Sequence, residues 1–251
     1  MKKFPSVGVV RTLQFPRAGF SKAIVALFLS GLLVAMPAAV QATTFTGGAI
    51  TFNDGATSPT PGSPYPSSIV VSGLFTSLSS ITLTLTNFTR SARPDDLDML
   101  LVGPTGATLI VFSDVGGTGA ATGPFTFVLS DAGATFLPDA GPFTSGTFKP
   151  TNESTAQDPF PAPAPAGPYG NPGGAIVGAG PNTFASQFNG TNPNGTWSLY
   201  IVDDTPNSGG ETGSITGWSL DITAVPEPST WALLIAGTAV LIFFCKRQRV
   251  R

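Results

Sequence analysis

The chain contains no histidine, and its one cysteine, Cys245, lies in an apolar run near the C-terminus. These two facts remove most of the common catalytic chemistry. Ser-His-Asp hydrolysis needs a base that is neutral near pH 7 to take the hydroxyl proton, and imidazole supplies it. A thiolate nucleophile and zinc sites of the His and Cys type fall with the same residues. A Ser-Lys pair would have to use Lys149, a single lysine in a turn-like segment. Carboxylate chemistry remains. Asp95, Asp96, Asp98, Asp203, Asp204 and Glu211 gather in two stretches of the chain, the second rich in Gly, Asn and Ser. Such groups can form the acid and base pair of a glycosidase. They can cap turns, where Asp is common, or hold calcium, a hard cation that takes several carboxylate and carbonyl oxygens from loops. Asp96 and Asp98 share a face if they begin a strand, and Asp203 and Asp204 end one, before a loop that leads to Glu211. The calcium reading therefore names Asp96, Asp98, Asp203, Asp204 and Glu211.

The charge distribution agrees with an exported body. Residues 43–225 keep only Arg90, Arg93 and Lys149 of the twelve basic residues, but thirteen of the fourteen acidic ones, for a net charge of −10 beneath the whole-chain value of −2. An acidic surface repels phosphate backbones, which argues against nucleic-acid binding. With no cysteine in this stretch, no disulfide can staple it, so stability must come from core packing and bound ions.

The elements that must position these carboxylates read as short strands. Ile81, Leu83 and Leu85 alternate with threonines; Trp197, Leu199 and Ile201 alternate with Ser198, Tyr200 and Val202; Trp218, Leu220 and Ile222 alternate with Ser219, Asp221 and Thr223. Successive strand side chains point to opposite faces, so each run offers one apolar face to a core. Further strands are expected at Ile69–Phe75, Leu97–Val102, Thr108–Phe112 and Phe125–Leu129, separated by turn signals such as Gly103-Pro104-Thr105-Gly106. No helical period stands out. The fold class is all-β, an antiparallel sandwich. Residues 159–172 hold prolines at close spacing and suit polyproline II, as a stiff loop lying across the sandwich, a flexible loop, or a recognition ligand.

The two ends differ from the middle. A basic stretch leads into the apolar run Ala23–Ala35, and Val40-Gln41-Ala42 offers small residues where a signal peptidase reads, so residues 1–42 form a secretory signal cut after Ala42. Near the other end, residues 229–245 are apolar or small, at the lower limit for crossing a bilayer, which takes about 20 residues. Lys246, Arg247, Arg249 and Arg251 then hold the terminus in the cytoplasm. Pro226-Glu227-Pro228 stands immediately before, expected to be extended and outside the helix because proline fixes φ and removes a donor.

That order of Pro-Glu-Pro, short apolar helix and basic end over residues 225–251 closely resembles the PEP-CTERM sorting signal of Gram-negative bacteria. The resemblance implies processing by an exosortase near Pro226, Glu227 and Pro228, with the domain first held on the periplasmic side of the inner membrane and then sent to the cell surface or outside. The middle also resembles a known module. Asp95-Asp96-Leu97-Asp98-Met99-Leu100-Leu101-Val102-Gly103-Pro104-Thr105-Gly106, Ser145-Gly146-Thr147-Phe148-Lys149-Pro150 and Asn194-Gly195-Thr196-Trp197-Ser198-Leu199-Tyr200-Ile201-Val202-Asp203-Asp204 are similar to the P domain, or P/Homo B domain, over residues 67–224, with 43–66 as an N-terminal segment or first strand. Its members are jelly-roll-like sandwiches, and the best-known follow subtilisin-type protease domains. Where many members carry a histidine before the Asp-Leu pair, this chain reads Asn87-Phe88-Thr89-Arg90.

Together these readings give an exported surface or matrix protein with a non-enzymatic binding or structural module. The sorting resemblance implies association with exopolysaccharide and biofilm material. The alternatives are an accessory module of a subtilisin-like protease, or a lectin-like sugar binder. For the latter, Tyr169, Tyr200, Trp197 and Trp218 are the aromatic candidates, although both tryptophans fall on the apolar faces of their strands.

Overall fold

The computed structural model describes residues 40–176, 180–206 and 209–248, with the side chains of 228–231 and 244–248 excepted. The expected secretory signal lies almost wholly outside these residues. Among the described residues thirteen strands follow one another: β1 (Gln41–Gly47), β2 (Ile50–Asn53), β3 (Thr60–Pro61), β4 (Ser67–Val71), β5 (Ser77–Arg90), β6 (Leu97–Val102) and β7 (Thr108–Ser113). After these come β8 (Ala121–Leu129), β9 (Gly146–Phe148), β10 (Thr151–Asn152), β11 (Gly195–Asp203), β12 (Thr212–Ile215) and β13 (Gly217–Val225). Among the described residues two α-helices follow, the five-residue α1 (Phe184–Phe188) and α2 (Pro228–Gln248).

The strands form two sheets. One runs β1-β13-β5-β12-β2, with β8 on β5 and β9 on β8. The second runs β10-β7-β6-β11-β3, with β4 also on β11. Pairing is antiparallel except for two short parallel contacts, β10 with β7 and β8 with β9. The all-β sandwich expected from alternation is what the chain forms. The segment before residue 67 is part of it: β1 lies along β13 over seven pairs, and β2 pairs with β12. Gln41, on the expected leader side of the cut after Ala42, already belongs to β1. Its side-chain amide donates to the Gly73 carbonyl and accepts from Phe75 N–H, at 3.0 and 3.1 Å.

Period-two burial built this core. Ile81, Leu83 and Leu85 of β5 meet Trp197, Leu199 and Ile201 of β11 and Trp218, Leu220 and Ile222 of β13 in one buried cluster between the sheets. Both indole N–H groups are satisfied inside, Trp197 by the Pro193 carbonyl at 2.9 Å and Trp218 by Ser67 Oγ at 2.8 Å, which buried indoles require. Four phenylalanines, Phe88, Phe112, Phe127 and Phe143, pack ring against ring at centroid distances of 5.1–6.2 Å.

A register change within β5 decides what else enters that core. Asn87 has φ 54°, and the β5–β8 register shifts between Leu85 and Phe88. The inward parity moves from odd to even residues, so Phe88 and Arg90 point between the sheets. Arg90 is 1% exposed. Its guanidinium donates to the Asp203 carboxylate, to the Phe52 carbonyl at 3.2 Å and to the Ala92 carbonyl at 3.0 Å. A buried pair with its remaining donors satisfied in this way is tolerated, whereas a single buried charge is not.

A second, smaller cluster lies on the outer face of the β6–β11 sheet. Leu100, Ile110, Tyr200 and Val202 project there and are covered by Phe160 and Tyr169 of the proline-rich segment. That segment is the stiff loop across the sandwich that its composition predicts. Prolines contribute carbonyls but no N–H donors, so a run of them carries an excess of acceptors. The chain's three tyrosines supply donors: Tyr65 to Pro161, Tyr200 to Pro163 and Tyr169 to Pro165, at 2.9, 3.3 and 2.9 Å. The Gln157 side chain closes the base of the loop by bonding both the N–H and the carbonyl of Tyr169.

At the C-terminal side, α2 begins at Pro228, so this proline opens the helix instead of standing outside it. The missing N–H costs nothing in the first turn, where no intrahelical acceptor exists for it. Glu227 accepts a hydrogen bond from Thr76 Oγ1 at 2.9 Å, which ties the Pro-Glu-Pro tripeptide to the sandwich. The side chains of Leu233, Leu234, Ile235, Val240, Leu241 and Phe243 are exposed. Among the described residues no helix is long and apolar enough to cross a membrane.

The Arg90–Asp203 pair yields the first prediction. Arg90→Leu leaves Asp203 buried and uncompensated and is expected to cost about 3–5 kcal/mol of stability, whereas Arg90→Leu with Asp203→Leu recovers most of that loss. Denaturant unfolding of the full chain measures both; equal losses in the single and double variants would contradict it.

Candidate metal centre

The carboxylates are positioned by the paired ends of β6 and β11. In their antiparallel register Val202 lies opposite Asp98, and Asp203 opposite Leu97. Leu97, Met99 and Leu101 of β6 and Leu199 and Ile201 of β11 point into the core between the sheets, which sends Asp203 inward to Arg90. The alternate residues, Leu100, Tyr200 and Val202, point to the opposite face. Asp98 follows their parity, and there it meets Asp204, just beyond the end of β11, and Asp158, at the root of the proline-rich loop. One carboxylate oxygen from each of these three lies within 4.8 Å of the others.

Asp98 is 2% exposed, and its Oδ2 has no hydrogen-bond partner; Asp158 Oδ2 is likewise buried and unpartnered. Asp98 Oδ1 accepts from Ser113 Oγ at 2.7 Å. Of the three, Asp204 also lines an adjoining cavity of about 590 Å³, whose wall is completed by Asp95, Asp96, Asp114, Asp139 and Glu153 with Gly117, Thr118, Gly119, Ala140 and Thr205. Asp95 and Asp96 come from a 3₁₀ turn over Pro94–Asp96 that enters β6, so Asp96 precedes the strand and does not share its alternation with Asp98.

The five residues that the sequence marks for calcium therefore divide. Asp98 and Asp204 converge, and Asp96 lines the adjoining cavity. Asp203 is taken by Arg90 on the other face of the sheet, and Glu211 pairs with Arg93 Nε at 3.7 Å. Asp158 is the member of this group that the sequence reading misses. It stands alone between Gln157 and Pro159, and its only signal is that it opens the loop that covers the β6–β11 face. The signal for Asp203 was legible: Trp197, Leu199 and Ile201 are apolar, and the next residue of that parity is Asp203. Of the residues expected to be read by processing enzymes, Ala42 lies in β1, Pro226 and Glu227 lie between β13 and α2, and Pro228 opens α2. The aromatic candidates for a sugar platform are buried: Trp197, Trp218, Tyr169 and Tyr200 are all below a tenth exposed.

Electrostatically the site is under strain. Burial, then the neighbouring Asp158, pushes the Asp98 carboxyl well above the usual carboxylate range, against the lowering effect of its Ser113 bond. Burial and Asp114 raise Asp158, and burial and Asp158 push Asp204 up to about 6. Burial likewise raises Asp95 and Asp114. Like charges gathered in a low-dielectric cleft disfavour the ionised form, and a divalent cation removes that penalty. The donor set is all oxygen, which suits calcium or a similar hard cation and not a soft metal.

No protein-family model matches the sequence, and no curated protein matches it. Among solved structures, the chain is similar to a serine protease of Aeromonas sobria, with a TM-score of 0.38 and 14% identity. A complex of the Aeromonas sobria serine protease with the chaperone ORF2 gives 0.36 and 16%. These alignments cover 79% and 80% of this chain, but 29% of the matched chain in each case.

The raised carboxyls fix the sign of a pH dependence. A folded-state value above the unfolded 3.8 means that the native state binds more protons between the two, so stability falls as pH rises through that window. The cation-free chain is expected to melt highest near pH 4–5 and progressively lower up to pH 7, the fall centred where Asp204 titrates, near 6. A melting series in chelator checks this; a melting temperature that rises from pH 4.5 to 7 would contradict it.

Proposed function

We propose that the chain is an exported, surface-held protein whose β-sandwich is a non-catalytic binding or structural module braced by calcium at Asp98, Asp158 and Asp204. The observation that carries the reading is Asp98: a carboxylate 2% exposed, one oxygen without a partner, facing two further carboxylates and no cationic side chain that binds it. A group so placed is costly unless a cation completes it. Calcium accepts such irregular oxygen sets, filling the remaining positions with water and carbonyl groups. The ion would join β6, the end of β11 and the root of the proline-rich loop, the kind of cross-brace that a disulfide supplies elsewhere.

The same carboxylates could be read as hydrolytic, since raised values near neutrality suit a general acid or base. The geometry favours the metal. Three carboxylate oxygens converge within 4.8 Å of one another, whereas a glycosidase pair flanks a sugar ring across about 5 Å or more between carboxyl groups. The cavity wall offers Gly, Ala, Thr and acids, with no aromatic side chain to stack on a ring.

Surface retention rests on the tail. The described side chains of α2 leave leucines, isoleucine and valine exposed, which suits a lipid surface. In this reading residues 225–251 anchor the precursor and present Pro226-Glu227-Pro228 to a processing enzyme, and residues before β1 direct export.

Two measurements test the proposal. Calcium at about a hundred times its dissociation constant contributes about 2.7 kcal/mol, so the melting temperature of the full chain is expected to rise by roughly 5–10 °C, with chelator reversing the rise and Asp98→Asn abolishing it. A melt indifferent to chelator would sink the calcium site. Intact masses from cell and medium fractions are expected to show loss of the N-terminal leader; a full-length protein confined to the cytosol would sink the export reading.

A further inference from the structure

The cavity beside the inner group has a wall of carboxylates and, among the described residues, no cation of the chain's own. Asp95 and Asp96 reach it from the 3₁₀ turn before β6, Asp114 from the end of β7 and Asp139 from the β8–β9 connection. Glu153 follows β10, and Asp204 follows β11. The rest of the wall is small: glycines, Ala140 and two threonines. Asp96 is 7% exposed, and its Oδ2 has no hydrogen-bond partner; Asp95 Oδ1 is also buried without one. A buried carboxylate so placed is costly until a cation reaches it. Residues 43–225 contain three basic side chains, and all three are engaged elsewhere. Arg90 is buried on Asp203, Arg93 pairs with Glu211, and Lys149 lies over the Phe136 ring. A cation for the cavity comes from another molecule.

We propose that this cavity binds a small guanidinium compound, of about the size of an arginine. Spread, not convergence, sets the class. A metal ion needs oxygens gathered at one point. Among the described residues only Asp98, Asp158 and Asp204 achieve that, and of these only Asp204 lines the cavity. The other five acids of the wall come from four separate segments, so their ligand must offer donors in several directions. A guanidinium presents five N–H donors in a plane, is weakly hydrated and stays charged near neutrality, whereas an ammonium concentrates three donors at one point. The chain answers a buried carboxylate in this way on the other face of the sheet, where the Arg90 guanidinium serves Asp203 and two backbone carbonyls. The cavity's volume of about 590 Å³ falls within the roughly 300–1,000 Å³ of small-molecule sites. Its wall has no apolar side chain larger than alanine, which suits a polar cation and not a hydrophobic ligand. Calcium need not be bound for the cavity to act, so the inference stands apart from the inner group.

Calorimetric titration of the full chain in detergent tests this, with chelator present so that no divalent ion competes. Argininamide is expected to bind at one site per chain. Citrullinamide, which replaces the guanidinium by a neutral urea of similar shape, is expected to bind at least about tenfold more weakly. Asp96→Asn and Asp114→Asn are each expected to weaken argininamide about tenfold. Asp221→Asn, which removes an exposed acid of β13, is expected to leave it unchanged. The wild-type comparison of the two amides requires no variant to fold, and equal binding of both would overturn the proposal. Lysinamide binding as tightly as argininamide would also overturn it, because charge alone would then be read. Argininamide binding undiminished in both Asp96→Asn and Asp114→Asn would overturn the assignment to this cavity. None of these outcomes bears on calcium at the inner group, which the chelator melts decide.

Discussion

Neighbouring positions on a strand point to opposite faces, and at the ends of β6 and β11 this alternation separates the carboxylates into two environments. Asp203 goes into the core, where Arg90 meets it. Asp98 goes to the other face with Asp158 and Asp204, where among the described residues no side chain of opposite charge binds it. A one-residue slip in the β6–β11 register would exchange these environments, burying unpaired acids between the sheets and stranding Arg90. The apolar parity of both strands excludes that slip: Leu97, Met99 and Leu101 against Leu199 and Ile201 hold the pairing.

The inward pair in turn depends on the irregularity in β5. An unbroken strand would face Arg90 to solvent, since Ile81, Leu83 and Leu85 set an odd-numbered inward face. The left-handed residue at Asn87 shifts that parity and brings Phe88 and Arg90 inside together. Bulges re-aim side chains in this manner. Here the same kink adds Phe88 to the phenylalanine cluster and supplies the counter-charge for Asp203.

The outer face is closed by a loop whose composition creates its own requirement. Prolines at residues 159, 161, 163, 165 and 168 stiffen the segment and leave its carbonyls without partners of their own kind. The three tyrosine hydroxyls meet that requirement, and burial of Phe160 and Tyr169 against Leu100 and Ile110 holds the loop down. Asp158 at its root makes the loop part of the acidic site as well as its cover. Apolar packing above and charge repulsion below act in opposite directions on the same segment.

How much of this was legible beforehand follows from range. Local periodicity located β5, β6, β7, β11 and β13, predicted the two-sheet sandwich, and placed both tryptophans in the core; the composition of 159–172 predicted a loop across the surface. The absence of histidine decided by itself which proton chemistry the chain lacks. The five-residue helix α1 was not legible, because one turn is too short for a period and depends on the Thr183 cap and the Asp131 carboxylate bonding its first N–H groups. Nor was Asp158, whose partners lie sixty residues before it and forty-six after, brought together only when the loop folds over β6 and β11. Sequence spacing could name the acids, but strand register and the bulge at Asn87 decided that Asp203 meets an arginine while Asp98, Asp158 and Asp204 converge on one another. Those are properties of which face a residue occupies and what crosses it, and only the folded pairing of distant strands determines them.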